Sequence, residues 1–114
     1  MKEFQRNIDD KTVINYRLGT NAKENHQLID EADDEDWWFH LESEPSGHCI
    51  VERIEIDNSD VIFASQIVKD NSSRKNKKSA PIIYTQIKNI KKTKNPGEVK
   101  ILDLKKLKKF TLIN

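Results

Sequence analysis

The run Asp33–Glu52, DDEDWWFHLESEPSGHCIVE, limits the possible folds more than any other stretch of the chain. It holds both tryptophans, two of the three histidines and the only cysteine. Trp38, His40 and Glu42 alternate with Trp37, Phe39 and Leu41, a period of two that predicts a strand with one buried face. Pro45, Ser46 and Gly47 interrupt it, and His48–Ile54 predicts a second strand. An antiparallel hairpin or near-hairpin of the two brings His40 and His48 together beside a tryptophan.

The flanking sequence supplies packing for that element. Phe4–Ile8 and Thr12–Leu18 predict a hairpin turning at Asp9-Asp10, with Thr12, Ile14, Tyr16 and Leu18 on its buried face. Gly19 ends the second strand. Asn21, with Glu24 three residues on, has the spacing of a capping box and opens a helix over Ala22–Ala32. Ala22, Leu28, Ile29 and Ala32 turn inward. The acids 33–36 oppose the macrodipole at the end of this helix and read as a solvated rim that repels phosphate. A second helix, Val61–Asp70, is capped by Ser59 or Asp60 and directs Ile62, Phe63, Ala64 and Ile67 inward. Ile82–Ile87, Val99–Leu104 and Phe110–Ile113 predict further strands. Six or seven short strands and two helices make an α+β fold: one small domain over 1–114, mainly antiparallel sheet.

Charge divides the chain. Residues 1–60 carry sixteen acidic and six basic side chains, whereas residues 61–114 carry three and fourteen. The basic residues cluster as Lys69, Arg74, Lys75, Lys77 and Lys78, then Lys88, Lys91, Lys92 and Lys94, then Lys105, Lys106, Lys108 and Lys109. Such a half-chain attracts phosphate, unless folding pairs it against the acidic half. Lysine in place of arginine favours backbone contact over base readout. A single cysteine excludes an internal disulfide and fits a reducing compartment. No window holds the roughly 20 apolar residues of a membrane span. MKEFQRNIDD lacks the apolar core of a secretion signal. The expectation is a cytoplasmic chain with no membrane partner.

His40 and His48 admit three readings: a pair that locks the hairpin, an RNA contact, and acid–base chemistry on RNA. No nucleophile joins them. His48 and Cys49, as neighbours in a strand, point to opposite faces, and the spacing of a zinc site is missing. No metal and no cofactor is expected, and Cys49 reads as a small buried hydrophobe. Trp37 and Trp38 also face opposite ways, one into the core and one available to stack on a base.

Four stretches in order resemble the RNA-binding domain of the NFACT family (NFACT-R). Leu18-Gly19-Thr20-Asn21-Ala22-Lys23-Glu24-Asn25 is similar to its Gly-Arg-Asn-x-x-x-Asn junction. Asp36-Trp37-Trp38-Phe39-His40 resembles its Asp-x-Trp-Phe-His strand, and Ser46-Gly47-His48-Cys49-Ile50-Val51 its Gly-Ser-His-Val strand. Pro81–Lys92 with Pro96-Gly97-Glu98-Val99 resembles its Val-x-Tyr-Thr segment and the Pro-Gly-x-Val that follows. Thr20 stands where the pattern has arginine, and Ser46-Gly47 reverses its Gly-Ser. The resemblance implies a non-enzymatic domain that contacts tRNA or ribosomal RNA, with the ribosome or its proteins as further partners in translation quality control. It also implies a stand-alone member of the family, without the tailing activity of the larger members. Trp38, by the family pattern, is the partly exposed tryptophan. The residues expected at RNA are Asn21, Lys23, Trp38, His40 and His48, with Tyr84 and Asn89, and the cations Arg74, Lys75, Lys77, Lys78, Lys88, Lys91, Lys92 and Lys94. Two alternatives stand beside this: an RNA-modifying or RNA-cleaving enzyme using His40 and His48, and a module that docks its acidic half on a basic ribosomal protein.

Overall fold

Period two in Val13–Leu18 sends Ile14, Tyr16 and Leu18 to one side, where all three are buried. In the computed structural model, which describes residues 1–114, this strand (β2) pairs antiparallel with β1 (Lys2–Asn7). One Asp9 carboxylate oxygen accepts the N–H of Lys11 and of Thr12, both at 2.8 Å, and so fixes the turn between the strands. The first expected hairpin is present.

So is the second. β3 (Trp37–Leu41) runs antiparallel to β4 (Cys49–Val51), with Trp38 opposite Ile50 and Phe39 opposite Cys49. β4 is shorter than the expected His48–Ile54. β5 (Ser79–Gln86) takes the other side of β3, and β8 (Lys108–Ile113) takes the outer side of β5. The six-stranded sheet has the order β1-β2-β4-β3-β5-β8, antiparallel throughout. β6 (Ile90–Lys92) and β7 (Val99–Ile101) form a separate two-stranded ladder. β6 is the strand that the basic composition of its region concealed.

Two helices complete the fold: α1 (Ala22–Glu31) and α2 (Asn58–Asp70). α2 lies on one face of the sheet, where Val61, Ala64, Ile67 and Val68 meet Phe39, Leu41, Cys49, Val51 and Ile82. It begins before the expected position, with Asp57 as its cap and Asp60 returning a bond to the Asp57 N–H. Val61, Ala64 and Val68 follow the i, i+3, i+7 rule, which leaves Ile62 about 100° round the helix and 48% exposed. Ile62 is not an inward residue. The opposite face of the sheet is covered by α1 and the β6–β7 ladder: Leu28, Trp38, Ile50, Ile87 and Ile90 form a second core, flanked by Val99 and Ile101. β3 therefore has two buried faces, not one. No helix is long and apolar enough to cross a membrane.

One charge lies inside the first core. Asp60 is fully buried, and its carboxylate accepts from the Tyr16 hydroxyl (2.8 Å), Arg6 Nη2 (2.6 Å), Arg53 Nη1 (2.8 Å) and the Asp57 N–H (3.1 Å). Burial opposes its ionisation, but these donors, led by the Asp57 backbone, outweigh burial and hold the carboxyl below the usual aspartate range. A buried carboxylate costs several kcal/mol to desolvate, so removing it strands two arginines and a tyrosine. Asp60→Asn is expected to lower stability in urea by about 3 kcal/mol. Because the folded pKa is depressed, the wild-type contribution is complete above the ordinary aspartate pKa and is lost as pH falls through the folded value. The acid-unfolding curve of the variant should lack that component.

Candidate nucleic-acid interface

The residues of the Gly19–Asn25 and Ser46–His48 stretches meet in one junction. The Gly19 N–H donates to the His48 carbonyl (3.1 Å), and Asn25 Oδ1 accepts the His48 N–H (3.0 Å). The backbones come too close for side chains: a Cβ at Gly19 would lie 2.1 Å from Asn25 Oδ1, and one at Gly47 would lie 2.3 Å from the Gly19 carbonyl oxygen. Asn21 caps α1 by accepting the Glu24 N–H (2.9 Å). The Glu24 carboxylate does not close the expected box. It turns outward to the N–H and hydroxyl of Thr20 and to the terminal amine, and these partners hold its pKa at about 2.

Above the junction three rings pack together. His40 lies parallel to Trp38 at 5.5 Å between centroids, while His48 stands edge-on to Trp38 (5.5 Å) and to His40 (5.2 Å). The histidines are together beside a tryptophan, as expected, but in different states. His40 Nδ1 donates to the Leu41 carbonyl (2.6 Å), which leaves Nε2 as its unprotonated nitrogen. Burial lowers its pKa. His48 is 1% exposed, and burial, reinforced by repulsion from His40, pushes it down to about 3. Trp38, expected to be partly exposed, is only 2% exposed, because α1 and the β6–β7 ladder cover its face of the sheet. Its Nε1 and His48 Nδ1 have no hydrogen-bond partner within the chain. Neither Trp38 nor His48 presents a surface to a ligand. Cys49 points the other way into the first core, where burial raises its thiol pKa.

An open polar cleft of about 570 Å³ lies over this junction, lined by Thr20, Asn21, His40, Ser46, Ser72 and Ser73 with others. It contains Glu98 but no lysine or arginine, and Lys23, exposed on α1, does not reach into it. The positive field lies elsewhere.

Folding pairs part of the basic half against the acidic half. Arg74 binds Glu44 (2.8 Å) and the Ser79 carbonyl (2.8 Å); Lys88 binds Glu35 (2.8 Å); Lys92 pairs with Asp30, and Lys109 with Glu42 (2.7 Å). Lys69 is buried on the Lys75 carbonyl (3.0 Å). Arg74 is thereby committed to holding its loop. The acids 33–36 are not a free rim either. Asp36 is buried, its carboxylate accepts the Asp33 N–H (3.1 Å), and the Asp36 and Asp34 carbonyls receive the Ile87 and Lys88 N–H groups. Within the basic half, exposed lysines without a carboxylate partner remain in three places: Lys75, Lys77 and Lys78 after α2; Lys91 and Lys100 on the β6–β7 ladder with Lys94 in the connection between its strands; and Lys105, Lys106 and Lys108 before and in β8. On the ladder Lys91 stands directly opposite Lys100, a like-charge pair that disfavours the pairing.

The third group stands on a turn held by side-chain hydrogen bonds. Asn89, expected at RNA, is 6% exposed and fully engaged: its amide donates to Thr85 Oγ1 (3.0 Å) and the Asp103 carbonyl (3.0 Å), and its Oδ1 accepts the Asp103 N–H (2.9 Å). Thr85 Oγ1 in turn donates to the Lys106 carbonyl (3.1 Å), and Asp103 caps the 3-10 turn Leu104–Lys106. Asn89 holds the turn that carries Lys105 and Lys106. They line a groove of about 440 Å³ with Lys88, Lys108, Gln86, Trp37 and, at its edge, Asn89 itself. Tyr84 stacks on Phe39 (4.8 Å, 4° between planes) and tilts against Trp37 (5.9 Å), so it supports the groove wall. Trp37 and Lys105, Lys106 and Lys108 were not among the expected contacts. The alternation of the strand puts the two tryptophans on opposite faces, and Trp37, packed at the edge of the first core, stays partly accessible.

The model of the NFACT protein RNA binding domain family matches residues 3–103. The Rqc2 homolog RqcH of Bacillus subtilis (strain 168) is 30% identical over 76 residues, which are 66% of this chain and 13% of that protein. The C-terminal structure of the fibronectin/fibrinogen-binding protein from Streptococcus suis has the same fold, with a TM-score of 0.81 at 18% identity over 96% of this chain and 43% of that one. The chain spans less than half of either.

Asn25→Ala removes the acceptor of a buried N–H and is expected to cost about 1–3 kcal/mol in urea or thermal unfolding. The His48 ring resonances should stay flat between pH 8 and pH 5 in an NMR titration. An unfolded histidine titrates near 6.5, so the unfolded chain takes up the proton first. Stability should fall as pH drops from about 6.5 towards the folded value near 3.

Proposed function

The chain belongs to the family of NFACT RNA-binding domains, and we propose that it contacts tRNA or ribosomal RNA chiefly through phosphates, as part of ribosome-associated quality control in the cytoplasm. The observation that carries this reading is the groove beside Trp37, where unpaired lysines stand on a turn fixed by Asn89 and Thr85. A lysine held on a fixed turn loses less freedom on meeting a phosphate than one on a loose loop, and each phosphate met releases counterions. Lys91 on the β6–β7 ladder, Lys94 in the connection between its strands, and Lys75, Lys77 and Lys78 after α2 extend the contact. Lys88 and Lys92 join it by exchanging half-exposed carboxylate partners for phosphate, at little cost because exposed ion pairs are worth under about 1 kcal/mol.

The reading is of a binding module. Acid–base catalysis by the histidine pair has no support: His48 is buried and held neutral, and His40 Nδ1 is committed to the Leu41 carbonyl. Association with the ribosome rests on the similarity to the Rqc2 homolog RqcH.

Binding of the chain to tRNA and to ribosomes should weaken steeply between low and moderate salt. Replacing Lys105, Lys106 and Lys108 by Gln should weaken it further and flatten the log–log salt slope by about 2. The same changes at Lys91, Lys92 and Lys94 should act in the same direction with the fold intact. Affinity indifferent to salt would sink the proposal.

A further inference from the structure

Resting on the reading of an RNA-binding groove, we infer that Trp37 is a stacking platform for an unpaired nucleotide, so that this groove takes single-stranded RNA in preference to duplex. Trp37 is the accessible member of the tryptophan pair, whereas Trp38 is buried. Its indole is fixed from two sides: Nε1 donates to the Ile54 carbonyl (2.8 Å), and Tyr84 tilts against the ring at 5.9 Å. A platform held in this way loses little freedom when a base settles on it.

Charge sets the direction of the strand across the platform. Trp37 and Lys108 lie on the border of two adjoining hollows, of about 440 and 450 Å³. On one side are Lys88, Lys105 and Lys106, with Gln86 held in the wall by its amide N–H groups donating to the Glu35 carbonyl and carboxylate. On the other are Glu55 and Asp57, which repel phosphate. A nucleotide therefore has one favourable placement, with its base on the indole and its phosphates towards the lysines. A duplex buries its base faces in its own stack, so it can use the lysines but not the indole. Lysine gives little base discrimination, and the preference is for unpaired strand over paired, largely independent of sequence.

The test uses the whole chain with two probes at one salt concentration: a 12-nucleotide oligouridylate and a blunt 12-base-pair RNA duplex. Intrinsic fluorescence of the wild type, whose accessible emission comes from Trp37, should be quenched at saturation by the single strand and far less by the duplex. Trp37→Leu should lose roughly 5- to 150-fold in affinity for the single strand and keep its affinity for the duplex. Trp37→Phe should retain most of the binding, since a π face remains. Equal quenching by both probes, no quenching by a bound single strand, or a leucine variant that binds both probes as wild type does would overturn the platform while leaving the phosphate groove standing. Failure of both probes to bind the wild type would overturn the platform together with the RNA-binding reading on which it rests. The wild-type quenching decides the matter even if the leucine variant does not fold.

Discussion

The Asn25 side chain closes the hydrogen bond on which the arrangement of this domain turns. By accepting the His48 N–H it ties the first turn of α1 to the start of β4, and Gly19 completes the tie from the end of β2. A polar group buried at that point has to be satisfied, and the absence of side chains at Gly19 and Gly47 allows the backbones close enough to do it. The consequence reaches β3. With β4 held against β2, its other edge fixes the register of Trp37–Leu41, and that register assigns Trp38 to the second core and Trp37 to the rim.

The accessible chemistry follows from this assignment. The rings that first suggest an active site, His40, His48 and Trp38, are mostly spent on packing, and the cleft above them carries no cation. The field for phosphate belongs to a different place, a short turn whose carbonyls and amides are held by Thr85 and Asn89. Residues of the two kinds differ in what burial does to them. An imidazole can be kept neutral in the core at modest cost, whereas a lysine ammonium is kept near water by its hydration. Lys69 shows the exception: it is buried, and a backbone carbonyl meets its ammonium.

Both hairpins, the cap at Asn21 and the inward face Ile14–Tyr16–Leu18 were legible in the sequence, because alternation and capping are local rules acting within a few residues. The start of α2 was displaced because Asp57, Ser59 and Asp60 are all capping types, and only the reciprocal bonds of Asp57 and Asp60 select among them. The roles of Asn89 and Arg74 were not legible. Each is a polar residue in a basic stretch, and its partner, at Asp103 or Glu44, lies far along the chain. For the cations the sequence gives a number and a clustering, but not which carboxylate each one meets.

Sequence alone determined the α+β class, the antiparallel hairpins, the family and the division of charge between the two halves, since each rests on pattern or composition. Tertiary structure alone decided which tryptophan is partly accessible, how burial depresses the two paired histidines and which lysines are free. Those outcomes depend on what covers each face of the sheet and on which distant acid lies within reach of each base. The β6–β7 ladder decides the first by closing over Trp38, and the pairing of Glu35, Asp30, Glu42 and Glu44 with their partners decides the last.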